Sequence, residues 1–104
     1  MKNVLIICAA GMSSSMIAKK ASDHFASQGE DIHVDATTIS KGPDIIDQDN
    51  YDLYLISPQA KMTFDTMKSR ADAMGKPITN IPPQAYVPIP MGIEKLATLI
   101  KENL

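Results

Sequence analysis

Strand-like and helix-like hydrophobic patterns alternate along this chain. Val4-Leu5-Ile6-Ile7 is an unbroken apolar run, the mark of a strand covered on both faces. Past a turn of small residues, Ile17, Ala21 and Phe25 recur at i, i+4 and i+8 with Lys19, Lys20 and Asp23 between them. That spacing predicts an amphipathic helix, capped by one of the serines at 13–15 and ended near Gly29. Ile32 and Val34 alternate with His33 and Asp35, as in a second strand lying at a sheet edge. Residues 41–50 carry the weakest pattern, with Pro43, Ile45 and Ile46 permitting one short helix. Leu53-Tyr54-Leu55-Ile56 is a third strand, broken by Ser57-Pro58. Phe64, Met67, Ala71 and Met74 form a helical stripe stopped by Gly75, and residues 77–81 fit a short fourth strand. The proline-studded run 82–90 reads as an extended connection into a last helix carrying Ile93, Leu96, Ala97, Ile100 and Leu104.

Strands alternating with helices imply parallel pairing and an α/β fold, a three-layer sandwich around a four-stranded parallel sheet. No repeat, linker or low-complexity segment interrupts residues 1–104, so one domain is expected. Open sheets of this kind bind ligands at the carboxyl ends of their strands, where both the segment after Ile7 and the Ser57-Pro58-Gln59 turn would lie.

Composition narrows the chemistry. The apolar fraction of 44% and charged fraction of 21% are ordinary for a globular chain, and a net charge of −2 gives no footprint for nucleic acid. Arg70 is the only arginine, so phosphate recognition would rest on backbone and hydroxyl groups. The sole cysteine, Cys8, excludes an internal disulfide and any CxxC metal or redox site; no metal and no cofactor are expected. The apolar run before Cys8 is far short of the roughly 7–15 residues a signal needs, and nothing approaches the ~18 apolar residues of a membrane span. A soluble, cytoplasmic chain without direct membrane insertion is the expectation.

Cys8 stands where the first strand ends and the chain turns into a helix. A helix start directs backbone N–H groups and the positive end of the dipole at what the sulfur carries, favouring a thiolate and a bound phosphate alike. The cradle would be Ala9, Ala10, Gly11, Met12, Ser13, Ser14 and Ser15, with Gly11 supplying backbone freedom and the serines supplying hydroxyl donors. The plainer alternative is a strand-to-helix turn whose serines only cap. Neither a Walker A sequence nor a dinucleotide fingerprint is present.

The layout is shared with low-molecular-weight tyrosine phosphatases, which carry a cysteine after the first strand, an arginine six residues on, and an Asp-Pro general acid. Here Ser14 holds the arginine position and no Asp-Pro occurs. A phosphocysteine formed here should therefore react slowly with water, which suits relay better than hydrolysis. Cys8-Ala9-Ala10-Gly11-Met12-Ser13-Ser14-Ser15 resembles the C-x-x-G-M-S-[ST]-S segment of enzyme IIB components of the lactose/cellobiose/chitobiose class of the bacterial phosphoenolpyruvate-dependent sugar phosphotransferase system. Asp52-Leu53-Tyr54-Leu55-Ile56-Ser57-Pro58-Gln59 is similar to that family's D-x-x-[LY]-[LI]-x-P-Q segment.

The resemblance implies a flavodoxin-like fold and a phosphocarrier. Cys8 would take a phosphoryl group from a phosphohistidine of the IIA component and pass it to a sugar, such as cellobiose, chitobiose or lactose, held by the membrane-embedded IIC permease. The chain would then work at the inner face of the membrane through IIC. Pro58 and Gln59 would border the loop, Gln59 either donating a side-chain hydrogen bond or shaping the partner surface. His24 and His33 read as solvated side chains outside any motif, Met67 and Met74 as core, and Met12 and Met16 as a candidate apolar rim beside the thiol. The remaining alternatives are a small cysteine phosphatase and a non-enzymatic flavodoxin-like module.

Overall fold

Residues 4–7 and 53–56 are wholly buried because their strands lie in the middle of the sheet and are covered on both faces. The computed structural model describes residues 1–9 and 11–104, apart from the side chains of 11–13. Among them, β1 (Lys2–Cys8), β2 (Ile32–Thr38), β3 (Leu53–Ile56) and β4 (Ile78–Asn80) form one parallel sheet in the order β2-β1-β3-β4. The helices are α1 (Gly11–Ser27), α2 (Gly42–Gln48), α3 (Phe64–Ala73) and α4 (Pro90–Asn103). The expected three-layer α/β sandwich is thus present.

Strand alternation divides the core in two. Val4, Ile6, Leu53 and Leu55 face one way, against Ile17, Ala21 and Phe25 of α1 and Ile93, Leu96 and Ile100 of α4. Leu5, Ile7, Tyr54 and Ile56 face the other way, against Ile46 of α2 and Met67 and Ala71 of α3. Helices α1 and α3 both end as their glycines suggested. Gly29 and Gly75 take φ of +71° and +69°, and the following amides of Glu30 and Lys76 donate back to the Phe25 and Ala71 carbonyls.

The edge strand β2 is sealed by a side chain. The Val34 N–H donates to Ser22 Oγ at 2.9 Å, and that hydroxyl donates to the Val34 carbonyl at 3.1 Å. An edge that would otherwise offer unpaired backbone groups is thereby tied to α1.

Several details differ from the sequence reading. Helix α1 already begins at Gly11, so Ser13, Ser14 and Ser15 lie within it and not in a capping loop. The strand break at Ser57-Pro58 continues into a 3₁₀ helix over Pro58–Thr63, and the proline-rich connection contains another over Pro83–Ala85. In both, a proline occupies the first helical position, where its missing N–H costs nothing. Leu104, on the last apolar stripe, is 41% exposed because it lies past the end of α4.

Candidate functional site

The order β2-β1-β3-β4 makes the chain leave β1 first to one side and later return on the other. Such a reversal opens a crevice between the carboxyl ends of the two central strands. Cys8 ends β1 at that point, and its backbone is clamped from both neighbours. The Ile39 N–H donates to the Cys8 carbonyl at 2.9 Å, and the Ser57 N–H donates to the Ile7 carbonyl at 2.9 Å. These bonds fix the direction of the cysteine side chain.

Cys8 is only 2% exposed and Ser14 is fully buried. Cys8 Sγ and Ser14 Oγ stand 2.8 Å apart. A thiol donates its hydrogen to the hydroxyl, whereas a thiolate would receive the hydroxyl hydrogen instead. Ser14 is the fourth residue of α1, so the opening of that helix lies beside the sulfur. N–H groups of a helix's first turn have no partner within the helix, and they meet the positive end of its dipole. That arrangement suits an anion on Sγ.

Of the other cradle residues, Ala9 is an exposed bend and Ser15 is exposed on α1. Ala10 and the side chains of Gly11, Met12 and Ser13 lie outside the described residues, so the hydroxyl contribution expected of Ser13 and the apolar rim expected of Met12 do too. Met16, the other half of that rim, is 53% exposed. Pro58 lines a groove of about 450 Å³ with Lys61 and residues 80–83, beside the carboxyl ends of β3 and β4. Gln59 is exposed on the same 3₁₀ helix and does not line that groove.

The histidines sit elsewhere. His24 meets the Phe25 ring edge-on and borders a shallow cavity with Lys20, Asp23 and residues 88–90. His33 Nε2 lies 2.8 Å from Asp35 Oδ1, while the Tyr51 hydroxyl donates to Asp35 Oδ2 at 3.0 Å. Tyr51 precedes β3, so its side of this network is toward the amino ends of the strands, away from Cys8. Burial, and then the bond to Asp35, push the Tyr51 phenol up to about 12. Burial likewise raises Tyr54. Sequence reading missed this network, because its members are brought together only by strand pairing.

Comparisons with known proteins bear on the same site. A family model described as "PTS system, Lactose/Cellobiose specific IIB subunit" matches residues 3–102. The lactose-specific IIB component domain of the phosphoenolpyruvate:carbohydrate phosphotransferase system from Streptococcus pneumoniae superposes with a TM-score of 0.84 at 20% identity, covering 98% of this chain and 96% of that one. The cellobiose-specific phosphotransferase IIB component from Borrelia burgdorferi does so with a TM-score of 0.73 at 24% identity, covering 98% and 90%. At these identities the two structures speak for the fold, which is flavodoxin-like. A search of curated proteins found no match.

Proposed function

The chain belongs to the lactose/cellobiose-specific IIB family of the sugar phosphotransferase system, a phosphocarrier component, and from that premise we propose that Cys8 is the residue that carries the phosphoryl group. The observation behind this reading is the placement of Cys8 Sγ at the carboxyl end of β1, 2.8 Å from Ser14 Oγ in the opening of α1. The phosphatase alternative is not favoured by the family match.

In the first step the Cys8 sulfur attacks the phosphorus of a phosphohistidine on the IIA component. The S–P bond forms as the P–N bond breaks, and the P–N electron pair stays on the imidazole. The proton the thiol gives up balances the one the imidazole gains. In the second step a hydroxyl oxygen of the IIC-bound sugar attacks the same phosphorus, the S–P bond breaks, and the thiolate leaves with its electron pair. The hydroxyl proton passes to the departing sulfur, by way of solvent, and restores the thiol. The amides of 9–13, the Ser14 hydroxyl and the hydroxyls of Ser13 and Ser15 would hold the phosphoryl oxygens, Pro58 and Gln59 framing the partner-facing rim. Phosphoryl transfer asks the protein chiefly for positioning and charge stabilisation, which a helix start and hydroxyl donors supply.

The β-linked disaccharides of lactose and cellobiose type are the sugar class this reading assigns, with IIC making the selection. In this reading the chain works at the inner membrane face through IIC; among the described residues no helix is long and apolar enough to cross a membrane. The test is intact-protein mass spectrometry after mixing with phosphoenolpyruvate, the general phosphotransferase proteins and a matching IIA. One added phosphoryl group that requires IIA and disappears in Cys8→Ser is the expected result. Phosphorylation that survives Cys8→Ser would show that the carrier is another residue.

A further inference from the structure

Ser57 follows β3 as Cys8 ends β1, and its hydroxyl is out of place in the resting chain. The residue is fully buried, and its Oγ has no hydrogen-bond partner among the described residues. It occupies the N-cap position of the 3₁₀ helix over Pro58–Thr63, where a serine ordinarily accepts a bond from a nearby backbone N–H, yet it makes no such bond. An unsatisfied buried hydroxyl is uncommon and costly.

Strand register shows where this hydroxyl is directed. Ile7 pairs with Ile56, so Cys8 and Ser57 are the next residues of two adjacent parallel strands, with backbones about 4.8 Å apart. The Ser57 backbone is still extended, at φ −65° and ψ 157°, so the alternation of faces carries on to it. Val4 and Ile6 place Cys8 on the α1 side of the sheet; Leu53 and Leu55 place Ser57 on that same side. Ile81, whose N–H bonds to the Ile56 carbonyl, continues the row into the same core. Ser14 reaches the sulfur from the helix above, and Ser57 stands beside it in the sheet.

We propose that Ser57 is a phosphoryl-binding residue: its O–H, unpaired at rest, donates to the phosphoryl group once Cys8 carries it. This rests on the assignment of Cys8 as carrier. No further covalent step is involved, since Ser57 keeps its proton and the phosphoryl oxygens, arriving with the group, supply the missing acceptor. A donor withheld until the charge appears stabilises the phosphorylated state without stabilising the resting one, which is the condition for assisting transfer.

Ser57→Ala separates this role from a structural one. Loss of a hydroxyl unpaired at rest should leave the melting temperature unchanged or raised, while phosphoryl uptake from phosphorylated IIA slows about tenfold. The ³¹P resonance of the phosphorylated variant should be displaced from that of the parent. A lowered melting temperature, an unchanged rate, or an unshifted resonance would each overturn the assignment of Ser57. The parent chain is the control for the premise. If it takes up no phosphoryl group, or does so equally well as Cys8→Ser, the carrier reading fails and this inference with it. If it is phosphorylated on Cys8 and Ser57→Ala behaves identically, only the role of Ser57 is lost.

Discussion

Ser14→Ala is the substitution that tests how the sulfur is held. The change removes one oxygen from a fully buried residue, and that oxygen stands 2.8 Å from Cys8 Sγ. In the resting fold a hydrogen bond of this kind contributes about 0.5–1.5 kcal/mol net. For a chain of this size each kcal/mol moves the melting temperature by about 4–8 °C, so a drop of a few degrees is expected. In the reacting state the hydroxyl donates to an anion, and such bonds contribute about 1.5–3 kcal/mol. At 1.36 kcal/mol per tenfold, the full loss would slow transfer by about 10–150-fold.

Only the part of that bond that strengthens toward the transition state affects the rate. Charge leaves sulfur for the phosphoryl oxygens as the S–P bond forms, so a hydroxyl that stays on sulfur gives a loss near the lower end, about tenfold. One that swings onto a phosphoryl oxygen gives a loss near the upper end. Rapid-quench measurement of label transfer from phosphorylated IIA at 25 °C, where the variant remains folded, reads the difference. A folded Ser14→Ala that accepts the group within twofold of the parent rate would refute the reasoning.

Two further predictions address the scaffold. At Gly92 a Cβ would lie 2.5 Å from the Val87 carbonyl oxygen and closer still to Val87 Cγ2, so Gly92→Ala must displace the backbone of the proline-rich segment. A cost of about 2 kcal/mol, or about 8–16 °C in melting temperature, is expected, and a calorimetric change below 2 °C would contradict it. The Tyr51 phenol, raised to about 12, keeps its proton in the fold above the pH at which an unfolded chain loses it. Its contribution to stability is thus complete below about pH 10 and is lost as pH rises toward 12, so denaturant midpoints should fall over that window. Tyr51→Phe should flatten the fall, and equal slopes in parent and variant would count against the Tyr51 phenol as its cause.

The strands that build the site were legible wherever burial is two-sided, because an apolar run such as 4–7 or 53–56 has no polar position to mislead. The beginning of α1 was less so. Serine is a common cap, and three in a row invited that reading; the helix instead starts at Gly11, although glycine is a weak helix former. Cys8 and Ser14 were recognisable as candidates from their motif, but their 2.8 Å approach depends on how α1 lies across the sheet. Ser57 was placed by sequence only in the turn at that end of the sheet, with no sign of a role for its side chain. As a residue before proline it read as a strand terminator, and its place beside Cys8 comes from the register of β1 on β3, which no local pattern encodes. The link from His33 through Asp35 to Tyr51 was hidden for the same reason.

The position of the sole arginine then bears on why a phosphocysteine here would serve as a relay. Arg70 lies on α3 and pairs with Asp47 of α2, on the opposite face of the sheet from α1, so it is engaged away from Cys8. Among the described residues the donor seen at the sulfur is the neutral Ser14 hydroxyl, and the donors proposed to join it, the backbone N–H groups at the start of α1 and Ser57, are neutral too. Neutral donors offset the charge of a phosphoryl group less strongly than a guanidinium fork, which can meet two oxygens at once. A group so held would be stabilised enough to form, yet water would gain little help in attacking it. A sugar hydroxyl brought by IIC has the advantage of position, which can be large compared with any single hydrogen bond. The same weakness that would make this site a poor phosphatase would therefore make it a selective donor in the relay proposed for Cys8.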